Sequence, residues 1–399
     1  MQNIALIWRD PTLRMLGLAT LIFGSLVASF SPYVSLLGIQ FFGLSDGGYA
    51  LVLTGSLLVS VTASVIVGIV TDQRPARKAM AAVAALSSIA GLVLVTIAPS
   101  TLTFVFAHLL FLPLGSTLLG QIFAIARLHT AEMAEADRDG VTAVIRALFA
   151  VPFALLLPLW GMAFNAEVSL LVLYPTTLAM AVALLAMVLW IWPSDGAAPW
   201  TEQKSGLGFF ASLAEVANGP ISLRLLAMGA VHSGSTLMAV LLALVFTETA
   251  GRGSGDAAIF FGAFVALEIC VMLSVGVLVR RYRRLHIIAA GAANYALFMG
   301  LFPGLAPTGF VWLLILPVSV GGGLIYSLSI SYLQDLLGAR AGAGASLVAL
   351  QRMVSEGLAA AIFALGAVLG GYDVAAYIGA VTILIGTAAL LLLDDGPRR

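Results

Sequence analysis

The chain has 399 residues, 61% of them hydrophobic and 10% charged, with a mean hydropathy of +1.08. Soluble domains carry far more charge than this, and a formal net charge of zero leaves no bulk field to attract nucleic acid. One cysteine, Cys270, excludes an internal disulfide, and the four histidines have no HxxxH or HExxH spacing, so neither a metal nor another cofactor is expected.

A bilayer core of about 30 Å needs about 20 apolar residues per helix. Runs of that kind predict helices over 12–38, 48–71, 79–98, 101–131, 138–164, 168–192, 220–248, 256–279, 285–303, 308–337, 341–370 and 372–393. The N-terminal MQNIALIWRDPTLRMLGLAT has no short apolar segment followed by a small-residue cleavage site. It reads as a cytoplasmic lead-in and a retained first helix, not a signal peptide. The longest polar stretch, PSDGAAPWTEQKSGLGFFASLAEVANG, comes after the sixth helix. The expected organisation is an all-α membrane protein with bundles at 1–192 and 220–399 and a cytoplasmic linker at 193–219.

Basic residues set the orientation. With the N-terminus inside, the cytoplasmic segments hold Arg9, Arg14, Arg74, Arg77, Lys78, Arg127, Arg138, Lys204, Arg224, Arg280, Arg281, Arg283, Arg284, Arg340, Arg398 and Arg399, against Arg252 alone outside. This asymmetry predicts two cytoplasmic termini. The halves also echo each other. GIVTDQRPARK begins at Gly68 and GVLVRRYRRLH at Gly276, 208 residues later, and Leu112–Pro113 is echoed by Leu316–Pro317 at 204. These echoes imply two six-helix repeats in one orientation, a plan that places substrate between the halves near the bilayer midplane.

GIVTDQRPARKAM resembles the loop motif of the major facilitator superfamily, in which a Gly is followed by an Asp and a basic cluster. Gly68, Asp72, Arg74, Arg77 and Lys78 match in kind, while Gln73 and Pro75 depart from the usual order. The resemblance implies a cytoplasmic gate. Asp72 lies at a helix end, near the negative pole of the dipole, and requires a basic partner, for which Arg127 is the candidate. QIFAIAR (121–127), ALEICVMLSVGVLVRRY (266–282) and YLQDLLGARAGAGASL (332–347) are similar to segments of the bacterial sugar efflux transporter family. That likeness implies export of sugars or glycosides in exchange for protons.

Four charges lie well inside predicted spans: Arg146, Glu268, Arg352 and Glu356. Each costs about 2.5–3.5 kcal/mol to insert even on a lenient scale, so each is a functional candidate. The resemblance pairs helix 5 with helix 8 and helix 2 with helix 11 across the halves. Counted from the predicted ends, Arg146 lies about 8 and Glu268 about 12 residues deep, a depth difference of roughly 6 Å that an Arg side chain spans. Arg352 and Glu356, spaced i,i+4, share a helix face. Arg146 and Arg352 are 206 residues apart and so are pseudo-symmetric. One reading has all four charges as neutralised structural pairs. The other has a carboxylate, Glu268 before Glu356, taking up a proton as the halves move.

By resemblance, helices 1, 4, 7 and 10 line the cavity. Their mid-membrane polar residues are Ser29, Tyr33, Thr117, Gln121, His232, Ser235, Thr236, Tyr326 and Ser327, with Glu268 or Gln351 at the cavity edge. Amides, hydroxyls and aromatic faces suit a sugar, although Ser and Thr often bond their own helix backbone. Trp160 and Trp312 are expected as interfacial anchors. No GxxxxGK[ST] motif supports ATP hydrolysis, and no cluster of nucleophile and base suggests an enzyme. The expectation is a monomeric proton antiporter for sugars or glycosides in a bacterial inner membrane, with a multidrug antiporter of the same fold as the alternative.

Overall fold

The computed structural model describes residues 2–131, 133, 135–195, 219–335 and 341–393. Most of the expected linker, with Lys204, and Arg340, Arg398 and Arg399 lie outside the described residues, as do the side chains of Asp72, Gln73, Arg138, Arg146 and residues 341–349. Among the described residues the chain is helical throughout, and twelve helices are long and apolar enough to cross a membrane. They are α1 (Pro11–Phe30), α2 (Asp46–Gln73), α3 (Arg77–Ile97), α4 (Thr101–His129), α5 (Glu135–Asn165), α6 (Leu173–Trp190), α7 (Gly219–Leu244), α8 (Ser254–Leu278), α9 (Arg284–Leu305), α10 (Ile315–Asp335), α11 (Ala341–Leu369) and α12 (Tyr372–Leu392). We call the side where α1 begins the near face and the opposite side the far face.

Local chemistry explains the boundaries. Asp10 precedes Pro11 and accepts the Leu13 N–H at 2.9 Å, so a capping acid and a first-turn proline start α1. Ser45 caps α2 in the same way, and Ser100 with Thr103 forms a reciprocal capping box at α4. Three departures from the predicted runs stand out. The lead-in is itself a helix, Gln2–Arg9, because burying Ile7 gives it an apolar anchor. α4 is interrupted by a π-helical turn at Ala107–Phe111, just before Pro113. α10 is entered through a 3₁₀ turn at Gly309–Leu314.

The repeat reappears in the backbone. Beyond α1 the chain makes a π turn at Leu37–Phe41, and beyond α7 another at Val245–Thr249, 208 residues on. The turn beyond repeats as well: Leu44 N–H bonds Gly38 O and Arg252 N–H bonds Phe246 O, again 208 apart. Gly43 (φ +70°) and Gly251 (φ +63°) supply the left-handed residue each turn needs.

Helices pack where small residues let backbones approach, since lipid offers no hydrophobic drive between them. α1 packs on α5 and α6, α3 on α6, α7 on α11 and α12, and α9 on α10 and α12. Between the first six helices and the last six, taken as two sets, contacts run through α5 with α8, α2 with α11, and the turn at Val34–Leu36 with α7. At the α5–α8 crossing a Cβ on Gly161 would lie 2.7 Å from Gly255 O, so only glycine permits that approach.

Candidate functional site: a cleft between the two helix sets

The seams between the sets close at the far face. On α8, Gly255, Ile259 and Gly262 meet Gly161 and Pro158 of α5, and the Phe153 and Phe261 rings stack at 5.9 Å. On the other seam Tyr49 of α2 meets Phe363 of α11 edge-on at 5.7 Å. Side chains then tie the sets together. Ser35 Oγ donates to Val240 O at 2.6 Å, Tyr33 OH to Ser254 O at 3.3 Å, and Tyr372 OH to Asp46 Oδ1 at 2.9 Å. Gln40 Nε2 donates to Thr247 Oγ1 at 3.1 Å and to Glu248 Oε1. Gln40 and Glu248 are 208 residues apart, the offset at which the π turns also recur.

Toward the near face the seams part. The α8 stripe that meets α5 at Gly255, Ile259 and Gly262 continues at helical spacing as Ala266, Cys270, Leu273 and Val277, all exposed. On α11 the face that carries Phe363 continues as Glu356 and Arg352, 7 and 11 residues back. There the two form an ion pair, and the Arg352 side chain is 68% exposed. Tyr326 of α10 is 41% exposed although it packs edge-on against His232 at 5.6 Å and has Ser235, Glu268 and Arg352 as neighbours. The exposure of Arg352 and Tyr326, with that of the α8 stripe, points to a cleft between the sets on the near side.

Glu268 stands at the cleft wall. It is 8% exposed, and its carboxyl rests on α10, where a Cβ on Gly322 would lie 2.8 Å from Oε1. Tyr295 and Tyr326 feel its charge, yet among the described residues it has no hydrogen-bond or ion-pair partner. From the stacked Phe153–Phe261 pair, seven residues toward the near face lead to residue 146 on α5 and to Glu268 on α8. Counted from the helix ends, residue 146 is 11 past Glu135 and Glu268 is 10 short of Leu278, a rise difference of about 1.5 Å. The expected offset of roughly 6 Å is therefore too large. α5 begins at Glu135, three residues before the predicted start, which brings residue 146 deeper. The Arg146 side chain lies outside the described residues.

The remaining candidates divide by neighbourhood. His232 holds Met228 O through Nδ1 at 3.2 Å, and Thr236 Oγ1 meets Ser355 Oγ at 3.4 Å, both beside the cleft. Ser235 and Thr117 donate to carbonyls of their own helices. Gln351 is buried on α11 with no amide partner among the described residues. Gln121 is buried and accepts from Arg77 Nη1 at 3.4 Å, which places it against α3. Ser29 accepts the Trp160 indole N–H at 3.0 Å while donating to Ser25 O, and Tyr33 belongs to the far-face closure. Trp160 stacks on Phe164, and Trp312 packs on Phe260.

At the near face, Lys78 Nζ caps the end of α6 through Leu189 O and Trp192 O, and Asp195 returns the contact by accepting the Lys78 and Ala79 N–H groups. Arg74 and Arg127 are exposed, and Gly68 has open space where a Cβ would stand. The expected Asp72–Arg127 pair involves a side chain outside the described residues.

The sequence matches the Major Facilitator Superfamily over residues 16–360. The chain belongs to the Major Facilitator Superfamily. A search of curated proteins gave no match. Among solved structures the chain is similar to the nucleoside transporter NupG, with a TM-score of 0.78, 14% identity and coverage of 97% of this chain and 100% of that one. It also resembles a POT family transporter in complex with 5-aminolevulinic acid (TM-score 0.71, 13% identity, 95% and 96% coverage). At these identities the likeness is one of fold. As a member of the superfamily the chain is a multi-pass membrane transporter.

The far-face groups Gln40, Asp46, Glu248 and Tyr372 escaped the sequence reading, although the repeat offset applied to Gln40 lands on Glu248. Tyr295, beside Glu268, was missed because a tyrosine on a peripheral helix carries no signal of its own.

Proposed function

We propose that this chain is a secondary transporter of the bacterial inner membrane that exports a sugar or glycoside in exchange for protons. The basic asymmetry puts the near face in the cytoplasm, so a cleft open on the near side is the inward-open state. Residues 1–192 and 220–399 are then the two bundles that rock about the seams, with 193–219 as the cytoplasmic linker. The gate residues Gly68, Asp72, Arg74, Arg77, Lys78 and Arg127 would close the near side in the opposite state.

The observation that carries the reading is Glu268, a buried carboxyl level with residue 146 on the facing helix and without a described partner. Burying an unpaired charge is costly, whereas a paired one is tolerated. Glu268 therefore holds a proton when apart from Arg146 and releases it when the seam brings the guanidinium in. The Arg352–Glu356 pair, fixed within one helix, keeps the opposite wall neutral. Substrate sits against Tyr326, His232, Ser235, Thr236 and Gln351. Hydroxyl, amide and ring groups there outnumber charges, which supports a neutral polyhydroxyl solute.

Two arms test this. In proteoliposomes, Glu268→Gln loses export driven by a pH gradient and keeps substrate counterflow; pH-driven export equal to wild type overturns the proton role. In a thermal-shift panel of mono- and disaccharides, glycosides and cationic drugs, stabilisation by sugars is expected. Stabilisation by drugs alone overturns the substrate class and favours a multidrug antiporter.

A further inference from the structure

We infer that the near-face end of α8 binds an anionic phospholipid, with the headgroup on Arg280 and Arg281 and an acyl chain along Leu273 and Val277. Leu273 is 82% and Val277 63% exposed, and they stand one turn apart on a single face of α8. The chain leaves the helix at Leu278, and Arg280 and Arg281 come within the next three residues, both exposed and without partners among the described residues. Tyr282, exposed beside them, is an aromatic at the level where headgroups begin. Basic side chains immediately beyond a span attract anionic headgroups. A free phosphate would need the arginines alone, whereas the apolar stripe leading directly to them suits a molecule with both a charged head and a tail.

The internal repeat supplies a control. Subtracting 208 from Leu273, Val277, Arg280 and Arg281 gives Val65, Ile69, Asp72 and Gln73. The equivalent end of α2 keeps the apolar pair and replaces two positive charges with an acid and an amide. The basic residues after α2, Arg74, Arg77 and Lys78, begin one residue later in the repeat frame, so the paired arginines at 280 and 281 are particular to α8, beside the α5–α8 seam. A lipid held there occupies the near-face end of the stripe that α5 must cover when the seam closes.

The test uses the intact chain in nanodiscs containing equal phosphatidylglycerol and phosphatidylethanolamine, with retained lipid identified by native mass spectrometry. Wild type retains phosphatidylglycerol, and a photoactivatable phosphatidylglycerol crosslinks within residues 270–282. R280Q/R281Q lowers phosphatidylglycerol affinity by roughly thirtyfold, the worth of two basic side chains at an anionic surface. R9Q/R14Q, which removes the same charge elsewhere on the near face, leaves it unchanged, and R280K/R281K largely restores it. Unchanged retention in R280Q/R281Q, equal loss in R9Q/R14Q, or equal retention of phosphatidylethanolamine by wild type overturns the site.

Discussion

Removing far-face contacts shifts the chain toward the opposite state by a calculable amount. Ser35 Oγ–Val240 O is a buried neutral bond and Tyr372 OH–Asp46 Oδ1 a half-buried bond to a charged acceptor, and both join the two helix sets. A neutral bond is worth about 1 kcal/mol and one to a charge about 1.5 kcal/mol. The two sites lie on different helix pairs, so their effects add. Ser35→Ala with Tyr372→Phe therefore raises the far-side-open to near-side-open ratio by about 2.5 kcal/mol, or about 60-fold. Leu57, packed toward Gly357 on the α2–α11 seam, reports this opening when made cysteine in a Cys270→Ser background. Its reaction with a membrane-impermeant maleimide added at the far face tracks the far-side-open population. The double substitution should accelerate labelling by tens of fold, and each single one by about 5- to 15-fold. Lower thermal stability with an unchanged labelling rate would refute the view that these bonds hold the far face shut.

Particular contacts lead to other outcomes. Cys270 stands on the α8 stripe that faces α5, so its labelling in wild type is fast in this state and slows when the near side closes, as read by maleimide kinetics with and without substrate. Gly161→Ala forces a Cβ within 2.6 Å of Ile259 Cγ1 and 2.7 Å of Gly255 O, and overpacking of that kind costs about 1–3 kcal/mol in thermal unfolding. Tyr174→Phe leaves buried His108 Nε2 without its 3.0 Å partner, lowering stability by about 1–3 kcal/mol while transport specificity is unchanged. Burial pushes the Asp10 carboxyl up, but bonds from Leu13 N–H and His129 and the nearby ring charge outweigh it and hold Asp10 below its usual value of 3.8. A depressed carboxylate stabilises the fold above its unfolded value and loses that contribution as pH falls through the folded one. Asp10→Asn should therefore flatten the stability loss below about pH 4 in thermal-melt series.

Twelve helices were legible because hydropathy is a property of whole segments, and the 208-residue echo recurs in two π turns. The Arg352–Glu356 pair was legible too, since i,i+4 spacing fixes it within one helix. The self-satisfied hydroxyls obeyed the same logic: Thr117, Ser235 and Ser327 bond their own helices. The contacts a side chain makes on another helix were not legible. Gln121 turns to Arg77, and Tyr33 lies in the far-face closure, because helix rotation decides both. The π turns at Leu37–Phe41, Ala107–Phe111 and Val245–Thr249 each insert a residue and rotate the next stretch of chain, which breaks simple periodicity. The depth of residue 146 was misjudged by the position of one helix start.

The most direct measurement of the central claim is proton counting. Purified protein in weak buffer with a pH indicator is titrated with the sugar or glycoside that stabilises it. If substrate and proton compete through Glu268, wild type releases about one proton per bound substrate, and Glu268→Gln binds substrate and releases none. Equal proton release by both proteins would contradict the account.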